Sequence, residues 1–212
     1  MYLPAIHRET RLDVLHDLIR THPLGTWVEA GDAELVVNHI PFVLDAVHGE
    51  FGRLHGHVAR ANPVWRKNPG AVPGVVTFRG PQVYITPSWY PSKHEHGKAV
   101  PTWNYAIVTA HGRPRFIEDR RWLLDHLGEL TDAQEASQAL PWKVEDAPAD
   151  FLDKLVGAII GVEIPIERIE GKWKTNQNRP EADKLGVVAG LLGKGDDQSV
   201  SMARLVRQHV AP

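Results

Sequence analysis

Across residues 27–117 the chain is written in β-rich runs punctuated by Gly and Pro, and this texture limits the fold more than any other feature. The runs are TWVEA, ELVVNHIPFVLD, FGRLHGHVA, GVVTFRG, QVYITPSW and TWNYAIVTAHGRPRFI. They are rich in the branched and aromatic side chains that pack on a pleated surface. Only residues 62–69 offer a helix-length connection, and a parallel βαβ crossover needs about a dozen residues. The pattern therefore predicts about six strands in a closed antiparallel barrel.

Helices are expected around this core. Thr10 to Asp13 reads as a helix cap, followed by Leu12, Leu15, Leu18 and Ile19 at helical spacing and ended at His22-Pro23-Leu24-Gly25. Residues 119–130 read as a helix, with a second starting at Thr131, whose Gln134 completes a capping box. Residues 151–160 read as a helix leading into one strand, GVEIPIERIEGKWK. Pro180 suits the first turn of a helix to Leu192, stopped by Gly193 and Gly195, and residues 199–209 form a last amphipathic helix. The expected organisation is a mainly β domain over residues 1–175, with a helical extension over 176–212 packed on it.

Composition narrows the function classes. No apolar run approaches the roughly 18 residues that span a bilayer, and MYLPAIHRETRLDV lacks the basic start and apolar stretch of a signal peptide. Zero cysteines exclude disulfide and thiolate chemistry and fit a cytoplasmic protein. A net charge of −2 supplies no global field for nucleic acid.

The twelve histidines invite a metal reading. His55 and His57 share one face of a predicted strand, and Gly49 upstream opens a cupin-like G-x5-H-x-H. That motif needs a Glu three or four residues later, and Val58-Ala59-Arg60-Ala61-Asn62 has none. His94-Glu95-His96 lies in a predicted Pro- and Gly-flanked loop without a third ligand nearby, so no metal is expected. No G-x-S-x-G elbow and no Gly-rich phosphate loop is present. A bound phosphate must then be held by side chains; Arg53, Arg60, Lys93, Lys172, Lys174 and Arg179 sit at or near predicted strand ends.

Two stretches gather complementary groups. Residues 84–105, YITPSWYPSKHEHGKAVPTWNY, hold three of the four tyrosines and two of the seven tryptophans among hydroxyl, amide and ammonium donors. A planar ligand with a polar or phosphorylated tail needs that mixture, and a hairpin with an aromatic core would show it too. Residues 172–180, KWKTNQNRP, place two lysines on one strand face, then amides and an arginine before a helix. Such donors match a dianionic phosphate or a flavin edge, although Asn178 could simply cap the helix.

Five ordered segments carry a family resemblance: NHIPFVLD, GHVARANPVW, RGPQVYITPSWYPSK, VPTWNYAIVTAHG and KTNQNRPEADKLGVV. With MYLP at the start, they resemble the PaiB family, named as negative transcriptional regulators of protease synthesis and sporulation. The resemblance implies an FMN-binding split β-barrel similar to flavin reductases and pyridoxamine phosphate oxidases, usually a homodimer with flavin at the subunit interface. It makes Arg60, Asn62, Trp89, Thr102, Trp103, Asn104, Lys174, Gln177 and Arg179 the expected flavin pocket. Arg60, Lys174 and Arg179 would take the phosphate. Thr102, Asn104 and Gln177 would meet the ribityl chain or ring edge, and Trp89 and Trp103 would wall the ring. The chain departs from the pattern at Val64, where the family places His before Trp65, and in the HEHGKA insert.

Three function classes follow. One is an FMN-dependent oxidoreductase or flavin sensor. Another is a regulator that binds DNA or a protein partner, and the third a split barrel that binds no flavin. Within residues 180–212, four cations (Lys184, Lys194, Arg204, Arg207) meet four acids (Glu181, Asp183, Asp196, Asp197), a poor match to duplex DNA.

Overall fold

A computed structural model describes residues 1–30, 34–67 and 72–210. The chain opens with strand β1 (Arg8–Glu9), helix α1 (Leu12–Thr21) and strands β2 (Leu24–Ala30), β3 (Leu35–Pro41), β4 (Val43–Asp45) and β5 (Arg53–Ala59). One turn of helix α2 (Val64–Lys67) precedes β6 (Gly74–Ile85), α3 (Ser92–His96), β7 (Thr102–Gly112) and β8 (Arg115–Ile117). Then come α4 (Arg120–Glu135), α5 (Ala149–Gly157), β9 (Ile159–Pro165), β10 (Arg168–Lys174), α6 (Glu181–Lys194) and α7 (Asp197–Arg207). None of the described helices is long and apolar enough to cross a membrane.

Two compact units divide the chain. One comprises Met1–Leu18, Arg79–Val108 and the chain from Glu170 onward; the other comprises Ile19–Phe78 and Thr109–Ile169. We call them the donor unit and the paired unit, after Lys174 and Arg179 in the first and the ion-paired Arg53, Arg60 and Arg115 in the second. In the donor unit β10 lies between β1 and β7, and β7 between β10 and β6. Helices α6 and α7 join Val83, Ile85 and Tyr90 in a core of Val187, Val188, Leu191, Met202, Ala203 and Val206. Residues 176–210 thus share this core with strand residues from the middle of the chain. Ala211 and Pro212, the end of the expected extension, lie outside the described residues.

In the paired unit β2 pairs antiparallel with β3 and with the first half of β6, and a second sheet runs β4-β5-β9-β8. Its core centres on Phe42, which is 2% exposed and meets Phe78 edge-to-face at 5.9 Å. Phe42 fits because Gly25 and Gly56 carry no side chain. A Cβ on Gly25 would lie 2.9 Å from its Cδ2, and one on Gly56 3.1 Å from its Cδ1. The glycine of His55-Gly56-His57 is therefore a packing requirement, and alternation turns both histidines to the opposite face.

Several boundaries differ from expectation. The runs GVVTFRG and QVYITPSW are one twelve-residue strand, β6, which continues through Pro81. Its burial alternates regularly through Gly80, slips by one residue at Pro81-Gln82, and resumes at Val83 and Ile85. Pro81 has no N–H to donate, and the Gln82 N–H donates instead to Gln198 Oε1 at 3.0 Å. Conversely, ELVVNHIPFVLD breaks at Phe42, whose N–H donates to Pro23 O at 2.9 Å. GVEIPIERIEGKWK breaks where the Ile166 and Glu167 N–H groups turn to Gly52 and His111 carbonyls. Helix α4 runs unbroken past Thr131 from its Asp119 cap, so the capping box there is not used. His94-Glu95-His96 is helical in α3 rather than loop, because Gly97 supplies the left-handed cap at φ 69°. Asn68 and Pro69, the end of the expected 62–69 connection, lie outside the described residues.

Candidate functional site

The donor unit holds a cavity of about 140 Å³ lined by His7, Val100, Pro101, Thr102, Asn104, Lys174, Asn176, Asn178 and Arg179. Strand periodicity builds its floor: Thr102 and Asn104 lie two apart on β7 and therefore share a face. Lys174 ends β10, and the turn after it returns Asn176 and Arg179 to the same place, closed by the Arg179 N–H donating to Asn176 O at 3.0 Å. That turn requires Asn176 at φ 63°, the left-handed conformation Asn tolerates better than most residues.

A hydrogen-bonded chain fixes the polar groups. Asn104 Nδ2 donates to Asn176 Oδ1, and Asn176 Nδ2 donates to the hydroxyl of buried Tyr90 at 3.0 Å. The Tyr90 ring carries the Arg179 guanidinium 4.5 Å from its centroid. Lys174 Nζ donates to Thr102 Oγ1 at 2.6 Å, which leaves the threonine proton free to point at another acceptor. Among the described residues no carboxylate pairs with Lys174 or Arg179. Asn104 Oδ1 is buried without a hydrogen-bonding partner among them. Two unneutralised cations and a free hydroxyl proton, with an orphaned amide oxygen as acceptor, fit a phosphate joined to a hydroxylated chain.

Of the residues expected in a flavin pocket, the structure brings Thr102, Asn104, Lys174 and Arg179 together here. Gln177 stands behind the lining, donating to Trp173 O and accepting from the Thr175 N–H at 2.8 Å and from His7. Trp103 is on the opposite face of β7 from Thr102 and Asn104, half exposed and 6.2 Å from the Tyr84 ring. Trp89 packs on α6 in the helical core, where the absent side chains of Gly186 and Gly190 admit it. Arg60 and Asn62 belong to the paired unit. The Arg60 guanidinium donates to Gly157 O at 2.8 Å, Ile159 O at 3.3 Å and Glu118 at 2.7 Å, and Asn62 donates to Asn38 at 2.7 Å. Arg60 thus spends three of its five N–H donors within the paired unit and is not among the residues that line the cavity. His7 was not anticipated, and Tyr90 and Asn176, though inside the two segments read as ligand-like, were not among the expected pocket residues. The amide-rich run before Pro180 was the available signal for Asn176; none pointed to His7.

The histidines form a separate cluster in the paired unit. His57 Nδ1 lies 3.1 Å from His126 Nε2, and Trp122 stacks on His126 at 5.4 Å between ring centroids. Burial, then the neighbouring His57 and His55, push His126 down to about 3, and burial also lowers His57. His55 faces Glu163 at 3.4 Å. Among the described residues no group of three His, Asp or Glu is arranged to hold a metal.

Antiparallel sheets with a cation-lined cavity define a class of split-barrel protein, and comparison with solved structures supports it. The FAD and heme binding protein of Mycobacterium smegmatis has this fold, with a TM-score of 0.59 at 18% identity over 79% of this chain and 73% of that one. The chain belongs to the family described as "Putative FMN-binding domain", whose model matches residues 1–168. It is 35% identical to an uncharacterized protein of Emericella nidulans over 98% of this chain and 97% of that one. It is also 27% identical to "Protease synthase and sporulation protein PAI 2" of Bacillus subtilis over 97% of this chain and 96% of that one. The resemblance to PaiB-type proteins read from five segments therefore holds over nearly the full length, and FMN is the cofactor of its class.

Proposed function

We propose that this chain is a flavin-dependent redox or flavin-sensing protein that anchors the FMN phosphate between Lys174 and Arg179. One observation carries the reading: both cations line a single cavity with the Thr102 hydroxyl and have no carboxylate partner among the described residues. FMN, when bound, supplies the electron-transfer chemistry, while the chain supplies binding and orientation. Lys174 and Arg179 would neutralise the phosphate, Thr102 would donate its proton to it, and Asn104 Oδ1 would accept from a ribityl hydroxyl.

The cavity is well below the roughly 300–1,000 Å³ of a whole small-molecule site, so it takes the phosphate end and leaves the ring outside. The half-exposed Tyr84–Trp103 pair, with exposed Val100, offers an apolar surface for a second copy. We therefore read the working form as a cytoplasmic homodimer. Flavin absorbance and fluorescence titrations, with light scattering, test this. FMN should bind more tightly than riboflavin, to particles of twice the 23.7 kDa chain mass. Equal affinity for the two flavins would refute the phosphate assignment, and particles of chain mass at micromolar concentration would refute the dimer.

The name of the Bacillus subtilis relative favours a second reading, a regulator that binds DNA. The C-terminal cations argue against it: Lys184 is tied to His209 O at 2.9 Å and Lys194 lies 3.6 Å from Asp196. Gel shifts near 0.15 M salt should give only weak, sequence-indifferent binding. A specific site with submicromolar affinity, lost on deleting residues 180–212, would reverse the preference.

A further inference from the structure

Lys174, Arg179 and the Thr102 hydroxyl have protons to offer a ligand, whereas Asn104, on the same cavity, has a lone pair. Its Oδ1 is buried without a hydrogen-bonding partner among the described residues. A hydroxyl donor is attracted to such an oxygen, and a phosphate oxygen is repelled by it.

Three side chains set that polarity. Asn104 Nδ2 donates to Asn176 Oδ1, and Asn176 Nδ2 donates to the Tyr90 hydroxyl at 3.0 Å. The two ends of an amide are nearly equal in shape, and a phenol both donates and accepts. Turning both amides over therefore keeps both contacts and reverses their sense. Tyr90 O–H then donates to Asn176 Oδ1, Asn176 Nδ2 donates to Asn104 Oδ1, and Asn104 Nδ2 becomes the free end. In the first sense the proton of fully buried Tyr90 has no acceptor among the described residues, and Asn104 Oδ1 has no donor. In the second sense both are satisfied, and the group left over is an N–H that needs an acceptor.

Tyr90 itself stays in place through either arrangement. Its N–H donates to Pro87 O at 3.0 Å, and its ring carries the Arg179 guanidinium. Two residues on, Ser92 donates through its N–H and its Oγ to the buried Asp183 carboxylate, at 3.0 and 2.7 Å.

We propose that Tyr90, outside the cavity lining, is a positioning residue for anion recognition: phosphate or sulfate binds the sense in which Tyr90 donates and Asn104 Nδ2 is free, and a hydroxyl ligand binds the opposite sense. The inference rests on the cavity being the phosphate site. It adds that one amide reads the phosphate and the hydroxyl chemistry of its ligands in opposite directions. Every proton stays on its own side chain, and only the direction of two hydrogen bonds changes.

Raman spectra of the full chain test the sense directly, because the tyrosine Fermi doublet distinguishes a phenol that donates from one that only accepts. Subtracting the Tyr90→Phe spectrum isolates this residue from the other tyrosines. Saturating sulfate should move the Tyr90 doublet from the accepting to the donating ratio. In Asn104→Leu the doublet should no longer respond to sulfate, since the chain then has no amide in the cavity. Tyr90→Phe keeps a ring beneath Arg179, so it should weaken sulfate and FMN about fivefold and riboflavin less than about twofold. A doublet that ignores saturating sulfate, or equal losses of the two flavins in Tyr90→Phe, would overturn the inference. The cavity assignment would survive that result if Lys174→Ala with Arg179→Ala still weakened FMN. Failure of wild type to bind sulfate or FMN would overturn both.

Discussion

Cations near strand ends serve opposite ends in the two units. In the paired unit Arg53 and Arg115 both reach Glu163, at 3.0 and 3.4 Å, and Arg60 reaches Glu118 at 2.7 Å. In the donor unit Lys174 and Arg179 face a cavity with a hydroxyl and a tyrosine ring and no acid among the described residues. A cation near a strand end is therefore not itself a ligand site. What separates the two cases is whether the topology delivers a carboxylate, and Arg60 receives its own from 58 residues away. The cations left without one are those with free energy to give to an anion, since an unpaired charge gains most from a partner.

The largest test of this division is Phe42→Ala. It removes the side chain at the centre of the paired unit's core and should cost about 3–5 kcal/mol of unfolding free energy in denaturant titrations. A loss below about 1 kcal/mol would mean that the packing around Gly25 and Gly56 does not carry that unit. Gly190→Ala comes next. Its new Cβ would lie 2.3 Å from Trp89 Cδ2, so a substitution that normally favours a helix should instead destabilise by about 1–3 kcal/mol. A stabilised variant would show that Trp89 moves freely, and would return it to the candidates for the flavin wall.

Lys174→Ala with Arg179→Ala should weaken FMN at least about tenfold, roughly 1.4 kcal/mol. Riboflavin should lose much less. Equal losses would place the phosphate elsewhere and remove the contrast between the units.

The last test concerns protons in the paired unit and reads the sign of a slope. Burial raises Glu29 to about 7 from an ordinary 4.5 and lowers His126 to about 3 from 6.5. Folded Glu29 keeps a proton that the unfolded chain releases, so its contribution is lost as pH rises from 4.5 through 7. Folded His126 refuses a proton that the unfolded chain accepts, so stability is lost as pH falls below 6.5. Between 4.5 and 6.5 the two slopes oppose each other. Glu29→Gln should leave stability rising with pH across that window, and His126→Asn should leave it falling. Parallel slopes in the two variants would contradict these assignments.

Much of the donor cavity was legible in sequence because two local segments supply it. Thr102 and Asn104 alternate along one strand, and Lys174 to Arg179 lie within one turn. Arg60 looked equivalent, but its partners Gly157, Ile159 and Glu118 arrive through long-range pairing that no local pattern reveals. Trp103 does not line this cavity for a reason the sequence did contain: adjacent strand residues face opposite ways, so it cannot share a face with Thr102 and Asn104. Trp89 could not be judged without knowing that two glycines of α6 would meet it. Strand content across residues 27–117 was clear, whereas the seams were not. Pro81 looked like a break and is only a slip, because the side chain of Gln198 replaces the missing ladder contact.

That slip makes β6 a two-phase ruler. Up to Gly80 its even-numbered residues are buried, and from Val83 its odd-numbered ones are. Deleting a single residue between 80 and 82 would bring Val83 and Ile85 into the parity of Val76 and Phe78, and the phase change that seats them in the core with α6 and α7 would be lost. Regularity here would be the defect. Each unit takes its core residues from β6 on a different parity, and the change of phase costs the strand one residue.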